Sequence, residues 1–279
     1  MSELPIYFVD AFTKTAFSGN PAAVCLASIN NANLTDKQMQ KVAIETNMPA
    51  TGFIFSDGDD ESFKTRSRFG LRFFTSKTDI NLCGHATLGS TAVLFKKLGS
   101  RIKVFNNKYL QQPIHAVKGV VVHSSLIQDV EYSSTTNSLL VRLSDCCSRS
   151  ELGSLQPQVP RMVESERTGK VRGVIITLRG SQSNGAVDAE GRGYDFASRY
   201  FAPWVGIPED HVTWKHIAVS RRGSAHTELA SYWSLQLEKR ELYARQCSPR
   251  GGDIHLRVAG ERVHLAGDAA IIMTGTLEI

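Results

Sequence analysis

Cys83, Gly84 and His85 stand side by side, and an apolar run, Ala86 to Lys96, follows them directly. Leu88, Thr91, Ala92 and Phe95 recur at i, i+3, i+4 and i+7, the spacing of a helix with one buried face. Thr87 or the backbone near Gly84 can start that helix. A helix beginning at a turn leaves its first amide N–H groups without intrahelical acceptors and carries positive dipole charge there. Beside a thiol and an imidazole, such an end is a seat for a small anion such as a carboxylate.

The chain makes this statement twice. Arg72-Phe73-Phe74-Thr75 precedes the first copy, and Arg199-Tyr200-Phe201-Ala202 precedes a second that runs from Gly223 and Ser224 through His226 to Trp233. An acidic loop lies between strand end and helix in both copies, with Asp79 in the first and Glu209 and Asp210 in the second. A repeat of this kind implies two similar halves. The expectation is that the two helix starts converge on one cleft.

The elements needed to position these residues can be read along the chain. Ile6 to Phe12 and Ala22 to Ala27 read as strands joined through the Gly19-Asn20-Pro21 turn. Thr35 caps a helix over Asp36 to Asn47, in which Met39, Val42 and Ala43 share a face. Strands follow at Gly52 to Phe55 and Phe69 to Thr75, and the IKVFNN stretch (102–107) is a further candidate. In the second half, Val120 to His123, Gln128 to Tyr132, Leu139 to Leu143, Lys170 to Leu178 and Tyr194 to Ala202 read as strands. A short helix fits Glu151 to Leu155 and a longer one Gly223 to Leu237. Ser181 to Gly193 is a surface loop, and Asp253 to Leu277 alternates as two or three antiparallel strands. The architecture expected is α+β: two pseudo-symmetric lobes, residues 1–112 and 113–279, each a barrel-like sheet around a central helix.

Composition narrows the classes of function. In 279 residues, 42% are hydrophobic and 21% charged, ordinary for a globular protein able to bury two cores. The net charge of +5 is spread over scattered basic pairs, which excludes a nucleic-acid footprint. The start lacks a basic segment leading into an apolar core, and no apolar run reaches the length of a membrane span. Five cysteines, Cys25, Cys83, Cys146, Cys147 and Cys247, fall at irregular spacing without a CxxC pair, so they read as reduced thiols of a cytoplasmic protein.

Taken together, VDAFTKTAFSGNPAAVC (9–25), GLRFFTSKTDINLCGHATLGSTAVLF (70–95), GYDFASRYFAPWVGIPEDHVT (193–213), GSAHTELASYWS (223–234) and QCSPRGGDI (246–254) resemble the phenazine-biosynthesis PhzF-like family, and within it the animal branch. The resemblance implies a diaminopimelate epimerase-like fold. It also implies an isomerase that moves a proton on a small carboxylic acid held between the lobes, without metal or organic cofactor, in a monomer or homodimer. Carried over by position, His85, Asp210 and Ser224 are the catalytic residues. Asn20, Cys83, Gly84, Gly223 and His226 contact substrate. Proton transfer at carbon needs an acid or base within hydrogen-bond reach, and helix ends hold the carboxylate.

The chain departs from the family pattern in three places. The family's principal acid/base is a Glu in a Ser-Glu-Thr turn, and here the turn reads Pro49-Ala50-Thr51, with Glu45 five residues earlier. Trp214 to Arg222 is inserted where the family runs straight from Thr to Gly, and the stretch between Lys97 and Leu126 is short, so the first lobe reads as truncated. Two alternatives to the isomerase follow. One is a catalytically impaired ligand-binding or interaction protein, and the other is a thiol enzyme built on Cys83. His85, Asp210, Ser224 and Asn20 each also have a plain reading, as a packed histidine, a loop residue, an N-cap and a turn residue.

Overall fold

The structure, a computed structural model, describes residues 3–28, 34–66, 69–80, 83–99, 124–134, 136–212, 225–260 and 262–279. The chain divides into two compact units. Within the described residues, the first holds 3–99 and 267–279 and the second holds 124–212 and 225–266.

In the first unit, β1 (Glu3–Ala11), β2 (Asn20–Ala27), β3 (Thr51–Phe55), β4 (Gly70–Phe74), β5 (Asp79–Ile80) and the chain's last strand, β13 (Ala269–Glu278), form one sheet in the order β13-β1-β2-β3-β4-β5. The turn into β2 requires glycine: Gly19 has φ +68°, and a Cβ there would stand 2.0 Å from the carbonyl oxygen of Ala11. β2 and β3 are parallel, so the chain must cross over between them, and α1 (Asp36–Thr46) makes the crossing. Thr35 and Gln38 form a capping box at its start, and Asn47 closes it in the left-handed conformation. Met39, Val42 and Ala43 face the sheet and pack with Ala23, Cys25, Phe53 and Phe74. A single helical turn, α2 (Ser62–Thr65), precedes β4.

On the opposite face of this sheet lies α3 (Gly84–Ala92), against β1, β2, β3 and β13. Four strands touching one helix is the contact pattern of a sheet curved around it. The buried face differs in part from the expected one: Ala92 is buried as expected, together with Ala86, Gly89, Ser90 and Val93, whereas Leu88 and Thr91 are half-buried and Phe95 is 41% exposed. The approach is made through small residues, since a Cβ on Gly89 would already touch Val9 at 3.4 Å and Val24 at 3.7 Å. After Ala92 the helix widens into a π turn, Val93–Lys97, closed by Leu98 N–H donating to Val93 O at 3.2 Å. That change of pitch carries Phe95 out of register with the buried stripe.

The second unit repeats the plan. Its strands are β6 (Ile127–Ser133), β7 (Ser138–Leu143), β8 (Gly173–Arg179), β9 (Phe196–Phe201), β10 (Glu241–Gln246), β11 (Gly252–Ala259) and β12 (Arg262–Ala266), in the order β12-β11-β10-β9-β8-β7-β6. The pairings β6/β7 antiparallel, β7/β8 parallel and β8/β9 antiparallel reproduce β1/β2, β2/β3 and β3/β4. Two short helices, α4 (Arg149–Ser154) and α5 (Val159–Ser165), lie between β7 and β8 and cover one face through Leu152 and Met162. On the other face is α6 (Ala225–Leu237), packed by a large side chain. Trp233 is fully buried, stacks on Phe196 at 5.8 Å, and its indole N–H donates to Thr177 Oγ1 at 2.9 Å. The Arg142 guanidinium lies 4.9 Å from the centre of the same ring.

Two lobes of mixed α+β structure, each a sheet with a helix against it, are thus present. The end of the second lobe is not where the sequence placed it. β11 and β12 belong there, but β13 pairs with β1 from Glu3 opposite Glu278 to Ala11 opposite Ala269, so residues 267–279 return to the first unit. Alternation marks a strand without naming its partner. β10 and α5 had no counterpart in the sequence reading. The candidate strands at 102–107 and 120–123, the boundary at 112, the inserted Trp214 to Arg222, and Gly223 and Ser224 lie outside the described residues.

Candidate functional site

In the first unit the expected residues gather at the start of α3. Cys83 is its N-cap residue, with φ −140° and ψ 104°, and its carbonyl accepts both the Thr87 amide at 2.7 Å and the Thr87 hydroxyl at 2.6 Å. The Cys83 Sγ lies 3.4 Å from His85 Nδ1 and 3.8 Å from Nε2. Both side chains are buried, at 1% and 7% exposure. Cys83 and Ala86 pack with Ala22, Ala50, Phe73 and Ile80 in one cluster. Asn20, buried at the first position of β2, stands opposite Ala11, two residues before the Ala22 of that cluster. Strand alternation puts Asn20 on the face that Ala22 and Val24 turn toward α3.

Ala50 is fully buried in the same cluster, and its carbonyl accepts the amide of Ala23 at 3.1 Å. The position that the resemblance gives to a carboxylate is therefore beside the start of α3, and a methyl group fills it. Glu45 is exposed on α1, where it serves as a solvated helix residue.

In the second unit Asp210 is held through its backbone. Its amide donates to Tyr200 O at 3.1 Å, and its carbonyl accepts Gln246 Nε2 at 2.5 Å. The Ser248 hydroxyl donates to the neighbouring His211 carbonyl and accepts the Gly251 amide at 3.1 Å. The QCSPRGG turn thus fastens the acidic loop from one side. From the other side Arg199 grips Glu209 with two hydrogen bonds, Nε to Oε1 at 2.7 Å and Nη2 to Oε2 at 2.8 Å.

Tyr200 and Glu228 were not singled out in the sequence. Tyr200 is buried on the α6 face of β9, and its phenol is pushed well above the ordinary range by burial and by the negative charges of Glu228 and Asp210. Glu228 stands in the first turn of α6. His211 is held below its usual value by burial and by the Arg250 charge, against a smaller opposing effect of Glu209. The available signal was the repeat itself, because Tyr200 occupies in the second copy the place of Phe73 in the first. His226, also in the first turn of α6, is fully buried. Among the described residues, no group of three or more His, Cys, Asp and Glu is placed to hold a metal ion, and no helix is long and apolar enough to cross a membrane.

A family model described as phenazine biosynthesis-like protein matches residues 9–128 and 109–275. Phenazine biosynthesis-like domain-containing protein 1 of Mus musculus is 44% identical over 303 aligned residues, covering 99% of both chains. That length exceeds the 279 residues of this chain, so the relative has residues without a counterpart here. A protein of Pseudomonas aeruginosa named an uncharacterized isomerase is 32% identical over 297 residues, again over 99% of both chains. The crystal structure of a PhzF-family phenazine biosynthesis protein from Enterococcus faecalis superposes with a TM-score of 0.75 at 28% identity, covering all of both chains.

Proposed function

The chain belongs to the phenazine biosynthesis-like protein family, and on that premise we propose that it is an isomerase that moves a proton on a small carboxylic acid without a cofactor. Two relatives, at 32% and 35% identity, carry the name isomerase, which supports the reaction class. One observation carries the reading to this chain: Cys83 Sγ stands 3.4 Å from His85 Nδ1 at a helix start. The amide N–H groups and positive dipole end of a first helical turn favour a carboxylate and offset charge that develops on the adjoining carbon. His85 and Asp210 carry the proton, Ser224 assists, and Asn20, Cys83, Gly84, Gly223 and His226 contact the substrate. Five free cysteines suit a reducing compartment, so we place the protein in the cytoplasm as a monomer or homodimer.

The test is proton NMR in D2O with a panel of small carboxylic acids that bear a C–H next to the carboxylate or to a double bond. Deuterium entering at carbon, and ceasing to enter in His85→Ala and Asp210→Ala, supports the isomerase. The buried Ala50 favours one second reading, a protein that binds such acids without turning them over. Saturable binding of the acids with no deuterium incorporation by the wild-type protein establishes that reading instead.

A further inference from the structure

We infer that Cys146 and Cys147 are a peroxide-sensitive switch on the acidic loop of the second unit: their oxidation to a disulfide draws Cys147 out of the core, displaces α4 and loosens the hold of Arg199 on Glu209. The two thiols are neighbours in sequence and differ in surroundings. Cys146 is exposed, its thiol donating to Ser144 Oγ at 3.2 Å, whereas Cys147 is 2% exposed and packs with Leu143, Leu152 and Met162. Burial, with Cys146 and Glu151 adding to it, lifts the Cys147 thiol above its ordinary range. Cys146 is therefore the sulfur that meets an oxidant, and Cys147 the one that resolves the product.

α4 begins at the next residue but one. Ser148 caps it in a box with Glu151, and the Ser148 carbonyl accepts the amide of the fully buried Leu152 at 3.2 Å. The carbonyls of Leu152, Gly153 and Leu155 in turn accept Arg199 Nη1, at 3.2, 3.1 and 2.6 Å. Through its other nitrogens Arg199 binds Glu209, the residue before Asp210. One short helix thus joins the thiol pair to the acidic loop. Cα atoms of adjacent residues lie about 3.8 Å apart, less than the roughly 4.4 Å at which disulfides ordinarily begin, so bridging the pair strains the turn. A strained bridge is also readily reduced, which makes the change reversible.

The oxidant is hydrogen peroxide. Cys146, as thiolate, attacks one oxygen, the O–O bond breaks, hydroxide leaves, and Cys146 becomes a sulfenic acid. The Cys147 sulfur then attacks the Cys146 sulfur, the S–O bond breaks, and the departing hydroxide takes the Cys147 proton as water. Two thiols have lost two electrons and two protons, and the peroxide has become two waters.

The experiment treats the full chain with hydrogen peroxide, blocks remaining thiols with N-ethylmaleimide and reads the tryptic peptide 143–149, which holds both cysteines and no other. The expected peptide is unalkylated and two hydrogens lighter, and dithiothreitol reverses the change. Amide hydrogen exchange in α4 and residues 203–212 of the oxidised protein is at least tenfold faster, and Cys146→Ser, a surface change, abolishes both effects. Oxygen added to Cys146 with Cys147 still alkylated, a bridge from Cys147 to Cys247, or a Cys146–Cys147 bridge with unaltered exchange each overturns the switch. Control of activity rests on the isomerase reading, whereas these readouts need no turnover and decide the switch even if no acid is a substrate. With an acid found in the D2O screen, peroxide lowers deuterium entry at least tenfold in wild type and leaves Cys146→Ser unchanged; equal losses in both proteins refute control through this pair.

Discussion

Arg72 and Arg199 hold the same place in the repeat and live in different surroundings. Each lays its guanidinium over the aromatic ring two residues on, Arg72 at 5.1 Å from the centre of Phe74 and Arg199 at 5.0 Å from that of Phe201. Each also binds a carboxylate through two nitrogens, Asp36 in the first unit and Glu209 in the second. The Arg72 pair lies at the surface, with 39% and 74% of the two side chains exposed; there the bonded guanidinium holds the Asp36 carboxyl below its ordinary range. Arg199 is 5% exposed and in addition donates Nη1 to the carbonyls of Leu152, Gly153 and Leu155 around the end of α4. The motif is therefore one backbone solution used twice: as a surface clasp in one unit and as a buried keystone beside Asp210 in the other.

The residue between arginine and ring separates the units chemically. Phe73 turns to α3 and presents only carbon to Cys83 and Ala86, while Tyr200 turns to α6 and brings a hydroxyl toward Glu228 and Asp210. The first helix start is an apolar nest around a thiol and an imidazole. The second is a carboxylate-rich setting. Two halves that share topology have thus diverged in the titratable groups they place at the start of the buried helix.

The comparison is broken most forcefully at Arg199. Arg199→Met removes one partner of a buried ion pair and leaves Glu209 and three carbonyls without their donor, so it destabilises by about 3–5 kcal/mol in urea unfolding. Arg72→Met should shift the same curve far less, because water replaces the lost partner of an exposed pair. Equal shifts would show that burial does not distinguish the two copies.

Exchanging the middle residues gives a smaller effect. Phe73→Tyr places a hydroxyl among Ala22, Ala50 and Ala86, at a cost of about 1–3 kcal/mol. Tyr200→Phe removes a hydroxyl from a polar setting and should cost less in stability. The midpoint of thermal unfolding for each variant checks the order.

Smallest is a pH effect in the second unit alone. Burial and the Arg250 charge hold His211 below its usual value of 6.5, so the unfolded chain takes up this proton at a higher pH than the folded one. Its contribution to stability is complete above about pH 6.5 and is lost as pH falls toward the lower folded value. His211→Gln should flatten that part of the stability profile, and an unchanged slope would remove His211 as its source.

Much of this was legible in the residues. The capped helix at Thr35, the Arg-aromatic strands and the Cys-Gly-His helix start each rest on local rules of capping, alternation and turn chemistry, and each stands where those rules put it. The buried face of α3 was not legible, because Gly89 and Ser90 pack closely by being small, which a search for large apolar residues overlooks. The pairing of β13 with β1 was hidden for a different reason: the partner lies at the far end of the chain, and nothing local encodes it. Within the site, the pairing of Cys83 with His85 follows from their spacing at a helix start. The approach of Glu228 and Asp210 to Tyr200 depends on how α6 and the acidic loop pack on β9, which appears only in three dimensions.

The most direct measurement is the rate at which solvent deuterium enters a carbon of a bound carboxylic acid, compared among wild type, His85→Ala and Asp210→Ala. Each variant should lose at least about a hundredfold in that rate while still unfolding cooperatively. Wild-type exchange that survives both substitutions would contradict a proton path through either helix start.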